Sequence, residues 1–347
     1  MKLLLQPDDG ISVVVDAIAK AKKSIDIMIF RCDHKDIEKA LVDAVERHVC
    51  VRALIAFTNR GGETRLRGLE TKLLAAGAMV ARTNNDLTRY HAKYFIIDRQ
   101  QLFVLGFNFT RSDTERTRSF GLVSKDSDLV EEAVRLFEAD STRQPFVPKS
   151  EQFMVSPLNS RNGLRKWLET AKKEVLIYDP EVSDGEMQRV LHDLQNDGVQ
   201  VRVIGNVKQK TKDIDVRHMH PLRLHARAII IDRKQGFLGS QSLRKAELDN
   251  RREVGLIFKD SAIAGKIASV FDEDWESGQS VILPAERLAK KVAKVVTRDL
   301  GPLAPVIEEI ASETGEKIEV DQEALEQTVK EAVKIAVREV VHDAVQK

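Results

Sequence analysis

Hydrophobic and polar positions along the chain switch between a period of two and a period near 3.6, and the same order of switches is written twice. AIAKAKK, Ala17 to Lys23, reads as a helix end that feeds the apolar run SIDIMIF, Ser24 to Phe30, a predicted strand. LETAKKEVLIYDP, Leu168 to Pro180, reads the same way. An amphipathic helix follows in each half, DIEKALVDAVERHV in the first and EMQRVLHDLQNDGV in the second. Next comes another strand, Val51 to Ile55 against Val201 to Ile204. Both this strand and the Ala-Lys-Lys of the first strand's lead-in recur 150 positions apart.

The halves then diverge and realign. The first carries an extra helix-like piece within TNRGGETRLRGLETKLLAAGAMV, whereas the second has the shorter, basic NVKQKTKDIDVRHMHPLR. Beyond these segments the offset becomes 134, and HAKYFIID, His91 to Asp98, stands opposite HARAIIID, His225 to Asp232. Strand, helix, strand and then paired strands in each half predict an α/β fold made by duplication. We expect a first repeat over 1–150 and a second over 151–282, packed about a pseudo-two-fold axis. Residues 283–347 match neither half; LAKKVAKVV and EALEQTVKEAVKIAVREVVHDAV predict a helical extension, with Val329, Val333, Ala336 and Val340 on one stripe. Its first expected role is packing on the body or on a second subunit, and its second is peripheral contact with a membrane surface.

Composition narrows the classes. With 42% hydrophobic and 31% charged residues this is an ordinary globular chain, and a net charge of +1 gives no global field toward nucleic acid or anionic membrane. Two cysteines, Cys32 and Cys50, make no disulfide framework and suit a reducing compartment. Pro7, Asp8 and Asp9 cut the opening apolar run too early for a secretory leader, and no run approaches the ~20 apolar residues of a membrane span. A cytoplasmic protein is expected.

The repeated motif carries the chemistry. Residues two apart on a strand share a face, so His91 would project with Lys93 and His225 with Arg227. Brought together, two imidazoles and two cations suit transfer at a phosphodiester. One histidine attacks phosphorus, the other protonates the leaving oxygen, and the cations offset charge on the non-bridging oxygens. Other histidines are weaker candidates. The letters HKD at 34–36 follow Asp33, which reads as a helix N-cap, and nothing positions His34 for chemistry. His218 and His220 lack nearby acids in metal-ligand spacing and are expected on a loop near the site mouth. Trp167 and Trp275 read as core.

HAKYFIID and HARAIIID resemble the HxK(x)4D signature of the phospholipase D, or HKD, superfamily. The likeness continues through Gly106 and Asn108, Gly239 and Ser242, to FDEDW ending at Trp275. It implies a covalent phosphohistidine intermediate, no cofactor and no required metal. It also implies lipid or nucleic-acid phosphodiesters as substrates. By the same likeness Asn108 and Ser242 would bind substrate phosphate, while Asp98 and Asp232 are structural acids at strand ends. Three departures stand out: Arg227 replaces the motif lysine, Ser242 replaces an asparagine, and Ser119 lies where the second copy has Glu253. Glu253 would orient His91 as the nucleophile, and His225, facing Ser119 without a carboxylate, would be the general acid. Three functions remain open: a phospholipid phosphodiesterase or phosphatidyltransferase, a metal-independent nuclease, and a non-catalytic phosphate-binding scaffold. The basic residues of 208–234, among them Lys208, Arg217, Arg223 and Arg233, suit a nucleic-acid backbone or lipid head groups.

Overall fold

The computed structural model describes residues 1–57, 63–208 and 214–280. The expected helical extension over 283–347 lies outside these residues, as do Lys210 and Lys212 of the basic segment read at 208–234. In the first repeat β1 (Lys2–Gln6), α1 (Ser12–Lys20), β2 (Ser24–Ile29), α2 (Lys35–Glu46) and β3 (Cys50–Ile55) lead to α3 (Glu63–Ala76) and β4 (Met79–Arg82). Then come β5 (Arg89–Tyr90), β6 (Tyr94–Ile97), β7 (Gln101–Leu105), α4 (Arg111–Glu115), β8 (Thr117–Ser124) and α5 (Ser127–Thr142). The second repeat opens with β9 (Phe153–Ser156), α6 (Ser160–Leu168), β10 (Glu174–Val182), α7 (Gly185–Asn196), β11 (Gln200–Val207) and β12 (Asp215–His218). It closes with β13 (Arg223–Leu224), β14 (Ala228–Ile231), β15 (Gln235–Gly239), α8 (Lys245–Asp249), β16 (Arg251–Phe258) and α9 (Ser261–Ser277). The extra helix read in the first half is α3.

Each repeat forms a mixed sheet, β1-β8-β7-β6-β2-β3-β4 in the first and β12-β11-β10-β14-β15-β16 in the second, with β9 beside β16. The two short strands depart from this plan reciprocally. β5 runs parallel to β16 of the other repeat, and β13 runs parallel to β8. Met1–Gln279 therefore make one compact unit, and the seam near 150 separates sequence copies rather than independent bodies.

Burial explains why the strands are apolar on both faces. In β2, Ile25, Ile27 and Ile29 face a core shared with α1 and α2, while Met28 faces the other way, into a core between the repeats. That central core joins Tyr94, Phe120 and Phe137 of the first repeat to Tyr178, Phe271 and Trp275 of the second. Trp167 and Trp275 are both buried, as the sequence suggests. Glycine lets neighbouring strands β15 and β16 come close within the second sheet. A Cβ on Gly239 would stand 2.6 Å from the Gly255 Cα and 2.7 Å from the Val254 carbonyl.

The motif acids have a backbone role. Asp98 and Arg99 both take left-handed φ values, 54° and 53°, in the β6–β7 turn, and Asp232 and Arg233 repeat this at 52° and 55°. The Asp98 carboxylate accepts the backbone N–H groups of Lys22, Lys23 (2.6 Å) and Ser24 (3.0 Å). Asp232 accepts those of Lys172, Lys173 (2.7 Å) and Glu174 (3.0 Å). The repeated Ala-Lys-Lys and the motif aspartate are thus two ends of one latch, which ties each hairpin to the start of its central strand.

Candidate active site

His91 and Lys93 do not lie on a strand, contrary to the expectation from period two. They fall in the three-residue passage between β5, bonded to the opposite sheet, and β6, bonded to its own. A chain that changes sheets must break its ladder there. The His91 and Ala92 N–H groups donate to the Arg252 carbonyl at 2.8 and 3.0 Å. In the pseudo-equivalent place the His225 N–H donates to the Arg118 carbonyl at 3.0 Å. Each histidine is thereby fixed by the other repeat's sheet, and both line one cavity of about 310 Å³.

His91 Nδ1 lies 2.9 Å from Glu253 Oε2, and its Nε2 lies 3.0 Å from Lys93 Nζ. A carboxylate at Nδ1 favours the tautomer with the proton there and leaves the Nε2 lone pair for chemistry. The ring meets Phe30 edge-on at 4.5 Å, and Lys93 Nζ stands 5.3 Å from the centre of the same ring. Lys93, 1% exposed, donates to the His91 carbonyl at 2.6 Å; burial lowers its pKa to about 7 against the pull of Glu253. Burial, then Lys93 and Arg227, hold the His91 imidazole well below the ordinary histidine value, so it is neutral. Burial raises the Glu253 carboxyl, with Lys93 opposing.

His225 is not without a carboxylate, as Ser119 led us to expect. Asp113 Oδ2, from α4, lies 3.2 Å from its Nδ1. Ser119 does occupy the place equivalent to Glu253, but α4 delivers an acid from another position. Burial works to raise the Asp113 carboxyl, yet His225 and the two N–H donors of Asn108 outweigh it and keep the carboxyl ionised. Burial lowers the His225 pKa while Asp113 opposes that shift. The signal for Asp113 was present: it stands 22 positions after His91, as Glu247 stands 22 after His225.

Arg227 occupies the lysine's place. Its guanidinium donates to the His225 carbonyl at 3.0 Å, as Lys93 does to that of His91, and its Nε donates to Ser242 Oγ at 3.1 Å. Glu247 stands 3.5 Å from Arg227 and accepts the Ser242 N–H at 2.7 Å. Asn108 lines the cavity, but its N–H and Nδ2 both donate to Asp113, at 2.9 and 2.6 Å. Ser242 is fully buried between Arg227 and Glu247. Asn108 thus positions Asp113, and Ser242 positions Arg227.

Elsewhere, Asp33 is not the N-cap of α2. His34 holds that position, while Asp33 accepts the Arg111 N–H at 3.0 Å and pairs with Arg65 at 3.2 Å. His218 ends β12 rather than lying on a loop, with Nδ1 2.9 Å from the Gly205 carbonyl. Among the described residues no group of three or more His, Cys, Asp or Glu side chains is placed to hold a metal, and no helix is long and apolar enough to cross a membrane.

Two imidazoles, each facing a carboxylate and each with a cation two residues on, meet where duplicated sheets exchange a strand; this is the paired site of an HKD-type fold. The family model described as cardiolipin synthase, PLD-like domain, matches residues 14–141 and 164–275, more than half the chain, and the protein belongs to the phospholipase D superfamily. The chain is similar to the mouse (Mus musculus) mitochondrial cardiolipin hydrolase, 24% identical over 150 residues. That match takes in 42% of this chain and 66% of the relative's length. The fold resembles phosphatidylserine synthase from Haemophilus influenzae Rd KW20, with a TM-score of 0.64 and 12% identity over 80% of this chain and 87% of that one. It also resembles polyphosphate kinase from Porphyromonas gingivalis, with a TM-score of 0.67 and 17% identity, covering 78% of this chain and 46% of that one.

Proposed function

We propose that the protein is a phospholipase D-type phosphodiesterase or phosphatidyltransferase that acts on phospholipid diesters by two displacements. Support comes above all from the two histidines that line one cavity, each with a carboxylate at Nδ1, and from Lys93 Nζ standing 3.0 Å from the His91 Nε2. His91 Nε2 attacks phosphorus, the phosphorus–oxygen bond breaks, and the leaving oxygen takes a proton from His225. Neutral His225 then takes a proton from water or an alcohol, whose oxygen attacks phosphorus and breaks the phosphorus–nitrogen bond. The direction rests no longer on a missing carboxylate at His225. It rests on burial, which with Lys93 and Arg227 holds His91 well below the ordinary histidine value, whereas at His225 Asp113 partly offsets the same lowering by burial, Arg227 and Lys93. Lys93 and Arg227 would turn toward the non-bridging oxygens once substrate enters.

Metal is not called for in either displacement, so activity is expected to survive chelator. Two free cysteines, one buried and one exposed, suit a reducing cytoplasm, with lipid reached peripherally at a membrane surface. A second reading, cleavage of nucleic acid at the same site, is favoured by one observation: Arg31, Arg65, Arg89 and Arg223 all line the cavity. One panel separates these readings. It contains phosphatidyl lipids, single- and double-stranded DNA and bis(4-nitrophenyl) phosphate, all with chelator, against the protein and its His91→Ala variant. Lipid turnover lost in the variant supports the first reading, and DNA cleavage lost in the variant supports the second. Turnover of nothing refutes both and leaves a phosphate-binding scaffold. Acid-quenched phosphohistidine mapped to residue 225 would reverse the two roles.

A further inference from the structure

The second repeat serves as an internal control for the first, and the two differ most in chemistry just outside the histidines. The helices α2 and α7 begin at equivalent residues, Lys35 and Gly185, and the backbone leading into each is held alike. The Asp33 and His34 N–H groups donate to the Phe109 carbonyl, at 3.0 and 3.3 Å, and those of Ser183 and Asp184 to the Leu243 carbonyl, both at 2.9 Å. In the second repeat Asp184 caps α7 by accepting the N–H groups of Glu186 and Met187, both at 3.1 Å. Arg161 then closes that corner by bridging Asp184, Glu186 and Asp249.

In the first repeat the capping place is taken by His34, which makes no side-chain cap bond, and Ile11 stands where the second repeat has Arg161. His34 is 6% exposed, and its Nδ1 has no hydrogen-bond partner, the Asp36 carboxylate standing 3.5 Å away. Between α2 and α3, a helix the second repeat lacks among the described residues, the first has a cleft of about 590 Å³ lined by His34, Lys35, Arg65, Lys72 and Arg111, in which Lys72 pairs with Glu38 at 2.6 Å and Arg65 with Asp33 at 3.2 Å. Cys32, Asp33 and Arg65 line both this cleft and the cavity of the histidines, so the two adjoin. A helix start that gives up its cap beside a positively charged cleft violates a local rule without a gain in stability, which is the mark of a site.

We propose that this cleft is a subsite for a second phosphate of the substrate, covalently linked to the scissile diester held at His91 and His225. The proposal rests on the phosphodiester reading and narrows its substrate class to diesters that carry a further phosphate nearby. A lipid bearing two phosphates and a nucleic-acid strand both present that chemistry.

The test combines binding with turnover. Inorganic pyrophosphate is titrated calorimetrically into the full chain, Lys35→Gln/Lys72→Gln and His34→Asp. His34→Asp restores the cap found in the other repeat, so its melting temperature should rise, and the same change should weaken pyrophosphate binding by about tenfold, ~1.4 kcal/mol. The double variant should lose a similar factor. Unaltered pyrophosphate affinity in both variants would overturn the subsite. In turnover, the ratio of kcat/KM for cardiolipin over phosphatidylcholine, or for an oligonucleotide over bis(4-nitrophenyl) phosphate, should fall about tenfold in the variants. Whichever ratio falls identifies the source of the second phosphate, and a constant value of both also overturns the subsite. If no diester is turned over by the unaltered protein while pyrophosphate binding still weakens in the variants, the catalytic reading fails and the subsite stands.

Discussion

Replacing Asp113 by Asn tests the assignment of His225 as the proton donor. The substitution removes a carboxylate 3.2 Å from His225 Nδ1 and keeps the side chain's shape, so an oxygen can still accept the Asn108 N–H. An opposite charge this close moves a pKa by about one to two units. Burial already lowers the His225 pKa and Asp113 works against it, so loss of Asp113 lowers it further. The protonated imidazole is then lost at a lower pH, and the alkaline limb of the pH–rate profile moves down by about one to two units. At neutral pH a diester with an alkyl leaving group should lose about 10- to 100-fold in kcat. A nitrophenolate leaves without needing a proton, so bis(4-nitrophenyl) phosphate should lose less than about threefold. The assay is a pair of pH–rate profiles, one per leaving group, with circular dichroism to check folding. Equal losses on the two substrates, or an unmoved alkaline limb, would refute His225 as the acid.

Three further outcomes are expected. Glu253→Gln removes the charge that fixes the His91 tautomer, and kcat should fall by on the order of 10³-fold with little phosphohistidine trapped after acid quench. Gly239→Ala drives a methyl group into the backbone at Gly255 and Val254 and should cost about 1–3 kcal/mol in a denaturant titration. Asp98→Asn weakens the latch on Lys22, Lys23 and Ser24 and should cost about 1 kcal/mol while activity per folded molecule persists. The Asp98 carboxyl lies below its ordinary value because three backbone N–H groups outweigh burial, so the unaltered protein's advantage is full above about pH 4. It should vanish as pH falls through the folded-state value, and urea midpoints measured from pH 7 to pH 2 follow that loss.

Local periodicity and the matched offsets determined much of this protein without any coordinates. The duplication, the α/β order, the extra α3 of the first repeat and the pairing of His91–Lys93 with His225–Arg227 all depend on residues close in sequence or on a constant shift. The structural place of Asp98 and Asp232 was also legible, because a carboxylate after a strand and an Ala-Lys-Lys before one recur together. What tertiary structure alone decided is which groups meet across the repeats. β5 and β13 leave their own sheets to join the opposite ones, and no alternation of apolar residues encodes the partner of a two-residue strand. Glu253 meets His91 as the likeness implied, but α4 carries Asp113 to His225 from a position that strand alignment passed over. The same limit hid His34: its side chain is a failed cap in the chain's own terms, and only the fold opens a cleft in front of it. Sequence fixes what a segment prefers over a few residues, whereas the partner of a buried charge is chosen by the packing of elements a hundred or more positions away.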